Sequence, residues 1–445
     1  MRRILGVLAV LVTALVVIQP AATFAADPEA AASAVRFGGD LRLRQEYYDD
    51  IPSATGHGGE NNYYRIRPRF WGEVDPVNNV TLKLRVVEEF RIWENPSGNR
   101  AYMYPDEWVV DLLYVDIKKL MNDKMDLRIG RQELSYGNNL VVFEGTPEDG
   151  SRTIYFDAIK ATMKACDKTT VDFVGIYNKP ENDLAINSEN RDLTGQGKDY
   201  NDETDAGGII YVKNNTMEKL PFELYYIYKN EGEWKSGPAT NRVEHDEADI
   251  HTAGLRLMPK FTDALSGNLE LTGQIGEEGD TDIEAYMIDA FLKYALPFAP
   301  DMKPALEAGV YVLSGDDPNT EDNEGWDPVW GRHPQRSDLY VFVYPVGYWS
   351  NLMMSRAAYT MDVAKWMKFK AMVSYLEAME DDGPGDGKER GWLYTLRTDF
   401  TLGEKMLTSK DKLTACALAE VLEPGDYSKD NETAVFYRLE LAYAF

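Results

Sequence analysis

The sequence predicts a transmembrane antiparallel β-barrel of about eighteen strands behind a cleaved leader. Three observations carry that expectation. A secretory leader is followed by no apolar helix, period-two alternation runs through the rest of the chain, and short connections alternate with mostly longer ones.

Arg2 and Arg3 precede the apolar run Ile4 to Ile18, and small residues around Thr23, Phe24 and Ala25 offer a cleavage site before Ala26. That layout is a signal peptide over 1 to 25 rather than a membrane span. Residues 26 to 445 contain no run of about 18 apolar residues, so the exported body has no helical anchor and is either a secreted protein or a barrel. It is long for one ordinary globular core, yet no Pro/Ser-rich linker, low-complexity block or change of texture divides it. A single closed sheet explains that uniformity.

Charge narrows the field. The 47 basic residues less Arg2 and Arg3 leave 45 against 74 acidic ones, a mature net charge of −29. Such acidity argues against nucleic-acid partners, which require basic surfaces. Cys166 and Cys416 lie far apart in sequence and read as two free thiols rather than a disulfide framework or a metal site.

Alternating segments fall at 35 to 49, 61 to 74, 78 to 92, 106 to 119, 124 to 135, 151 to 164, 168 to 178, 204 to 213 and 219 to 230. The second half repeats the pattern at 247 to 260, 264 to 276, 282 to 296, 302 to 314, 350 to 363, 366 to 379, 389 to 402, 411 to 422 and 433 to 445. Links such as 75 to 77, 122 to 123, 167 and 261 to 263 suit periplasmic turns, and 179 to 203, 231 to 246 and 315 to 349 suit extracellular loops. A soluble β-sandwich has no reason to keep long and short links in phase.

The last segment carries Val435, Tyr437, Leu439, Leu441, Tyr443 and Phe445 on one face, with Arg438 and Glu440 between them. A terminal aromatic on an oily face is the usual ending of barrels inserted by the barrel-assembly machinery. The body is therefore expected in the bacterial outer membrane, in contact with lipid and lipopolysaccharide.

The charged faces are patterned. In the first segment Leu41, Leu43 and Tyr47 oppose Asp40, Arg42, Arg44 and Glu46; in the second Tyr64, Ile66 and Phe70 oppose Arg65, Arg67, Arg69 and Glu73. The third sets Lys83, Arg85, Glu89 and Arg91 against Val80, Leu82, Leu84, Val86, Phe90 and Ile92. An arginine facing lipid costs about 2–4 kcal/mol near the midplane, so these faces are expected to line the lumen. Alternation adds Arg256, Lys293, Arg356, Lys368, Lys370, Arg397 and Arg438 to the inner faces, with Asp289, Asp399 and Glu440. Two readings follow: cross-strand bracing of a wide barrel, or a basic lining that focuses the field on passing anions.

Acidic residues crowd the long loops, Glu181 to Asp205 and Asp316 to Asp327 among them. Solvation accounts for them. Ca²⁺ or Mg²⁺ bridging to lipopolysaccharide phosphates is the sharper alternative, although no EF-hand spacing is present and no other cofactor is expected.

Gly39-Asp40-Leu41-Arg42-Leu43-Arg44, Tyr64-Arg65-Ile66-Arg67-Pro68-Arg69, Leu127-Arg128-Ile129-Gly130-Arg131-Gln132-Glu133-Leu134-Ser135-Tyr136-Gly137 and Arg152-Thr153-Ile154-Tyr155-Phe156-Asp157 together resemble the alginate export family of outer-membrane porins. The resemblance implies a monomeric eighteen-stranded barrel whose arginine-rich constriction passes an anionic polyuronate outward. By position it makes Arg42, Arg44, Arg65, Arg67, Arg69, Arg85, Arg128 and Arg131 lining candidates, with Arg131 dependent on a bulge at Gly130.

Other classes find less support. His251 shares the outward face with Ala253, where a barrel hydrolase needs a nearby serine, so no catalytic residue is expected. The aromatic loop 315 to 349, with Trp326, Trp330, Tyr340 and Phe342, reads as a girdle and pore-mouth cover, with a gate as the sharper option. The expectation is a channel for anionic solutes, most plausibly acidic polysaccharide. A general or anion-selective porin for small solutes and a non-conducting, adhesin-like glycan-binding barrel are the alternatives.

Overall fold

The computed structural model describes residues 35–445 apart from 54–55, 96–101, 104–107, 144–154, 180–183, 187–203, 237–242, 332–333, 344–349 and 430–431. The expected signal peptide lies outside the described residues, as do Arg152 to Ile154 and most of the acidic stretch 181 to 203.

Eighteen long antiparallel strands close on themselves. The first nine are β1 Val35–Asp49, β2 Asn61–Val77, β3 Val80–Val87, β4 Trp108–Lys119, β5 Met125–Gln132, β6 Phe156–Cys166, β7 Thr169–Asn178, β8 Asp205–Asn214 and β9 Phe222–Glu231. They are followed by β10 Ala248–Leu257, β11 Leu265–Glu278, β12 Thr281–Ala295, β13 Ala305–Leu313, β14 Leu352–Ala364, β15 Met367–Glu377, β16 Glu389–Glu404, β17 Lys412–Glu423 and β18 Ala434–Ala444. Short strands Phe90–Asn95, Tyr102–Met103 and Ala185–Ile186 extend the same sheet.

The ends of the sheet make the seam. Leu43 of β1 faces Ile66 of β2 on one side and Leu441 of β18 on the other. Beyond β18, Phe445 accepts from Gly39 N–H at 3.1 Å and donates its own N–H to Gly39 O at 2.9 Å. A Cβ on Gly38 would lie 2.4 Å from the Phe445 carbonyl, so the closure needs glycine there. Closure leaves no open edge in lipid, where each unpaired backbone group would be costly.

The phase of the connections follows the expected scheme with one exception. Residues 78–79, 167–168 and 365–366 turn at the end that holds both termini, and 314–351 is a long link at the other. At that far end β11 and β12 are joined by residues 279–280 alone, where Gly279 takes φ 58°. The fifth segment stops at Gln132 rather than 135, because Leu134 and Tyr136 turn inward and are buried. The third segment breaks at 88–89, where its pairing passes from one register to the next.

Alternation sorts the side chains. Leu41, Leu43, Leu439 and Leu441 are exposed on the outer wall, whereas Arg42, Arg44 and Arg438 are buried inside. Exposed Phe37, Trp366 and Phe298 mark one rim and Tyr177, Tyr226 and Trp392 the other, as aromatic girdles at two interfaces.

Two segments fold into the far half of the barrel. Trp330 N–H donates to Val141 O at 3.0 Å and Phe143 N–H to Trp330 O at 2.9 Å, which ties 133–143 to 314–331. Leu134, Tyr136, Val142, Trp326, Trp330 and Leu339 then pack on inward-facing Ile209, Tyr225, Met287, Leu313 and Leu376. An apolar layer thus overlies a charged one.

Candidate functional site in the barrel lumen

Register brings the basic faces of β18, β1 and β2 together. Arg44 lies opposite Arg65 and Glu440, Arg42 opposite Arg67, and Glu46 opposite Arg438 and Tyr63. Glu46 is the hub: Arg438 Nη2 approaches to 2.6 Å and the Nη1 atoms of Arg44 and Arg65 each to 3.2 Å, while the Tyr63 hydroxyl donates at 2.7 Å. Glu89 takes Arg65 at 2.9 Å, Arg42 at 3.1 Å and Arg91 at 3.8 Å. Glu440 takes Arg44 at 2.7 Å and Arg42 at 3.9 Å. With Arg67 buried on the same face, the arginines outnumber the wall carboxylates they share.

Single pairs flank this cluster. Arg69 meets Asp40 at 2.8 Å, Lys83 meets Glu73 at 2.9 Å, and Arg85 bridges Asp111 at 2.7 Å and Glu133. Arg128 meets Asp116 at 2.6 Å and lies over the Tyr114 ring at 4.0 Å.

The opposite wall is acidic and aromatic. Tyr136, Tyr211 and Tyr225 stack in series at 4.4 Å and 5.4 Å. Their hydroxyls donate to Asp172, Glu223 and Glu270 at 2.9, 2.9 and 3.0 Å. Arg256 pairs with Glu223 at 2.9 Å and donates to Asn138 of the inward segment at 2.5 Å. Arg356 meets Asp289 at 3.0 Å and Glu307 at 3.7 Å, and Arg397 meets Asp399 at 2.9 Å.

Arg131 is the exception among the arginines named from sequence. Its cross-strand partners are Leu113, which is 46 % exposed on the outer wall, and Asp157, and it pairs with Asp157 at 2.8 Å beneath the Tyr155 ring. Gly130 does take a positive φ of 118°, yet the three-residue step from inward Arg128 leaves Arg131 on the outward parity. It is not brought into the lumen.

Buried charge of this density holds together only when paired, because removing one partner leaves an uncompensated ion in low dielectric. Bracing is therefore part of what these arginines do. Sequence reading missed the groups that the inward segments contribute. Arg336 approaches Asp289 at 2.7 Å, Asp338 approaches Arg438 at 2.6 Å, and Asn138 donates to Asp289 at 3.3 Å. Loop residues carry no alternation, so only their closeness to a long polar-aromatic link could have marked them.

Among the described residues no cluster of His, Cys, Asp or Glu could hold a metal ion. In the acidic loop Asp317 accepts the backbone N–H of Asn319 at 2.9 Å and its amide at 2.7 Å, which lowers its carboxyl below the usual range. His251 lies on the outer wall, 2.7 Å from the Tyr226 hydroxyl. Both cysteines are free.

A closed antiparallel barrel with aromatic rims and a charged interior defines an outer-membrane channel of the porin class. The alginate export family model matches residues 33–382, and the chain belongs to that family. Pseudomonas aeruginosa OpdK superposes with a TM-score of 0.58 at 12% identity, covering 92% of this chain and 99% of that one. Acinetobacter baumannii OccAB4 gives 0.57 at 11%, covering 94% and 100%, and Pseudomonas aeruginosa OccK5 (OpdH) gives 0.56 at 13%, covering 92% and 98%. These likenesses establish the fold. A comparison with curated proteins finds none that matches the chain.

Proposed function

We propose that the barrel passes anionic solutes, with an acidic polysaccharide such as alginate as the cargo, through a lumen lined by Arg42, Arg44, Arg65, Arg67, Arg69, Lys83, Arg85, Arg91, Arg128, Arg256, Arg356, Arg397, Arg438 and Glu440. The observation that carries this reading is the gathering of Arg42, Arg44, Arg65, Arg67, Arg91 and Arg438 around Glu46, Glu89 and Glu440. The residual positive field favours carboxylates, and the shared acids keep any one contact weak enough for release. Arginine also offers a planar fork that matches a carboxylate. Membership of the alginate export family supports the cargo.

A second reading, an anion-selective porin for small solutes, is favoured by one feature. The inward segments fill the far half with an apolar cluster that includes Trp326, Trp330 and Tyr340, which suits a narrow path better than a wide one. Planar-bilayer current in the presence of uronate oligomers separates the two. A polysaccharide channel shows block that strengthens with oligomer length. A small-solute porin responds to the monomer and ignores longer chains.

A further inference from the structure

The segment 334–343 crosses between two walls of opposite character. Arg336 reaches Asp289 on β12 at 2.7 Å, and two residues later Asp338 reaches Arg438 on β18 at 2.6 Å, six strands further round the ring. Between and beside them, Ser337 Oγ and Leu339 N–H donate to Glu420 at 2.9 Å and 2.7 Å, and Tyr340 N–H donates to Ser337 Oγ at 3.0 Å. Glu420 thereby fixes the turn that aims Asp338 at the basic wall.

We propose that Asp338 is a tethered competitor of the solute, and that the edge of Arg438 it holds is a binding subsite for a solute carboxylate. This rests on the reading of the lumen as a route for anions. The subsite is built by the barrel, not by the loop. Arg438 Nε and Nη2 are held by Glu46 at 2.7 Å and 2.6 Å, so the guanidinium keeps its orientation whether or not the loop is in place. The Nη1 atom faces inward to one carboxylate oxygen, and that oxygen comes from a loop.

The chemistry of the occupant follows from its stand-in. Asp338 presents a carboxylate to arginines that already outnumber Glu46, Glu89 and Glu440. If that segment withdraws, the cluster loses an anion in a partly buried setting, and another carboxylate is the group that restores it. Arg336 undergoes the mirror exchange on Asp289, which Arg356 still holds at 3.0 Å. A solute that takes Arg438 therefore loosens the strap at its basic end while the acidic wall stays paired.

The test uses the full barrel refolded in detergent, titrated calorimetrically with sodium glucuronate at fixed ionic strength and with sodium chloride as control. Asp338→Asn keeps the shape of the side chain and removes its charge, so glucuronate is expected to bind about tenfold more tightly than to wild type. Arg438→Gln should abolish the gain. Because that change also unpairs Glu46, folding is checked by the heat-dependent gel shift and Arg438→Lys, which keeps the charge, is measured beside it. Equal glucuronate affinity in wild type and Asp338→Asn overturns the proposal, and so does an equal gain for chloride. Bilayer current separates this from the parent reading. A barrel that conducts anions but shows no Asp338 effect loses only the subsite. One that binds glucuronate as expected yet passes no current keeps the subsite and loses the channel.

Discussion

Arg438 on the last strand holds the carboxylate of Glu46 on the first at 2.6 Å, so the charge network of the lumen is also the seam that closes the barrel. Closure and lining are one structure here. Any change to the network acts on stability and on selectivity together, and the two effects have to be read apart.

Glu46→Gln should be the costliest single neutralisation on this wall. It strips Arg44, Arg65 and Arg438 of a shared carboxylate whose side chain is 1% exposed, a loss of about 3–5 kcal/mol. Glu440→Gln should cost clearly less, since the Glu440 side chain is 21% exposed and water can replace it. Urea unfolding in lipid vesicles, followed by tryptophan fluorescence, ranks the two; equal losses would remove Glu46 as the hub.

Replacing Arg65, Arg67 and Arg69 together with Glu should invert or abolish anion preference. The register leaves these side chains facing Arg44, Arg42 and Asp40, so the substitution reverses the sign of the wall beside the first strand. The readout is reversal potential for protein that keeps its heat-dependent gel shift. Unchanged selectivity would confine the three arginines to bracing.

Two glycines should behave oppositely. Gly130 takes φ 118° and a Cβ there would lie 2.3 Å from the Leu113 carbonyl, so Gly130→Ala should cost about 1–3 kcal/mol. At Gly273 a Cβ meets nothing within 4 Å, and Gly273→Ala should stay within about 0.5 kcal/mol of wild type. The same unfolding assay decides; similar costs at both would mean that backbone conformation at Gly130 carries no strain.

Deleting 318–343 should raise single-channel conductance. Trp326, Trp330, Leu339 and Tyr340 leave the interior with the deletion, whereas β13 and β14 remain paired through Leu313 and Leu352. Conductance and current fluctuations that match wild type would show that the path bypasses this segment.

The wall was legible because its physics is local. A period of two, with lipid outside, forces Leu41 outward and Arg42 inward whatever the partners are, and glycine at 38 and 39 beside a terminal Phe445 already marks the seam. Arg131 shows the limit of the rule: a glycine bulge suggested a change of face, but only pairing with Leu113 reveals that the parity is kept. What alternation cannot reveal is who pairs with whom. Glu46 gathers arginines from three strands far apart in sequence, and Asp338 reaches it through Arg438 from a loop with no periodic signal. Such contacts depend on closure of the ring, which no local window contains.

The central claim, an arginine-biased lumen that favours anions, is tested most directly by the reversal potential of single wild-type channels in a planar bilayer under a potassium chloride gradient. The expected result is a potential displaced toward the chloride equilibrium value and reduced in Arg65→Glu, Arg67→Glu, Arg69→Glu protein. Displacement toward the potassium value, or no conductance from correctly folded barrels, would contradict it.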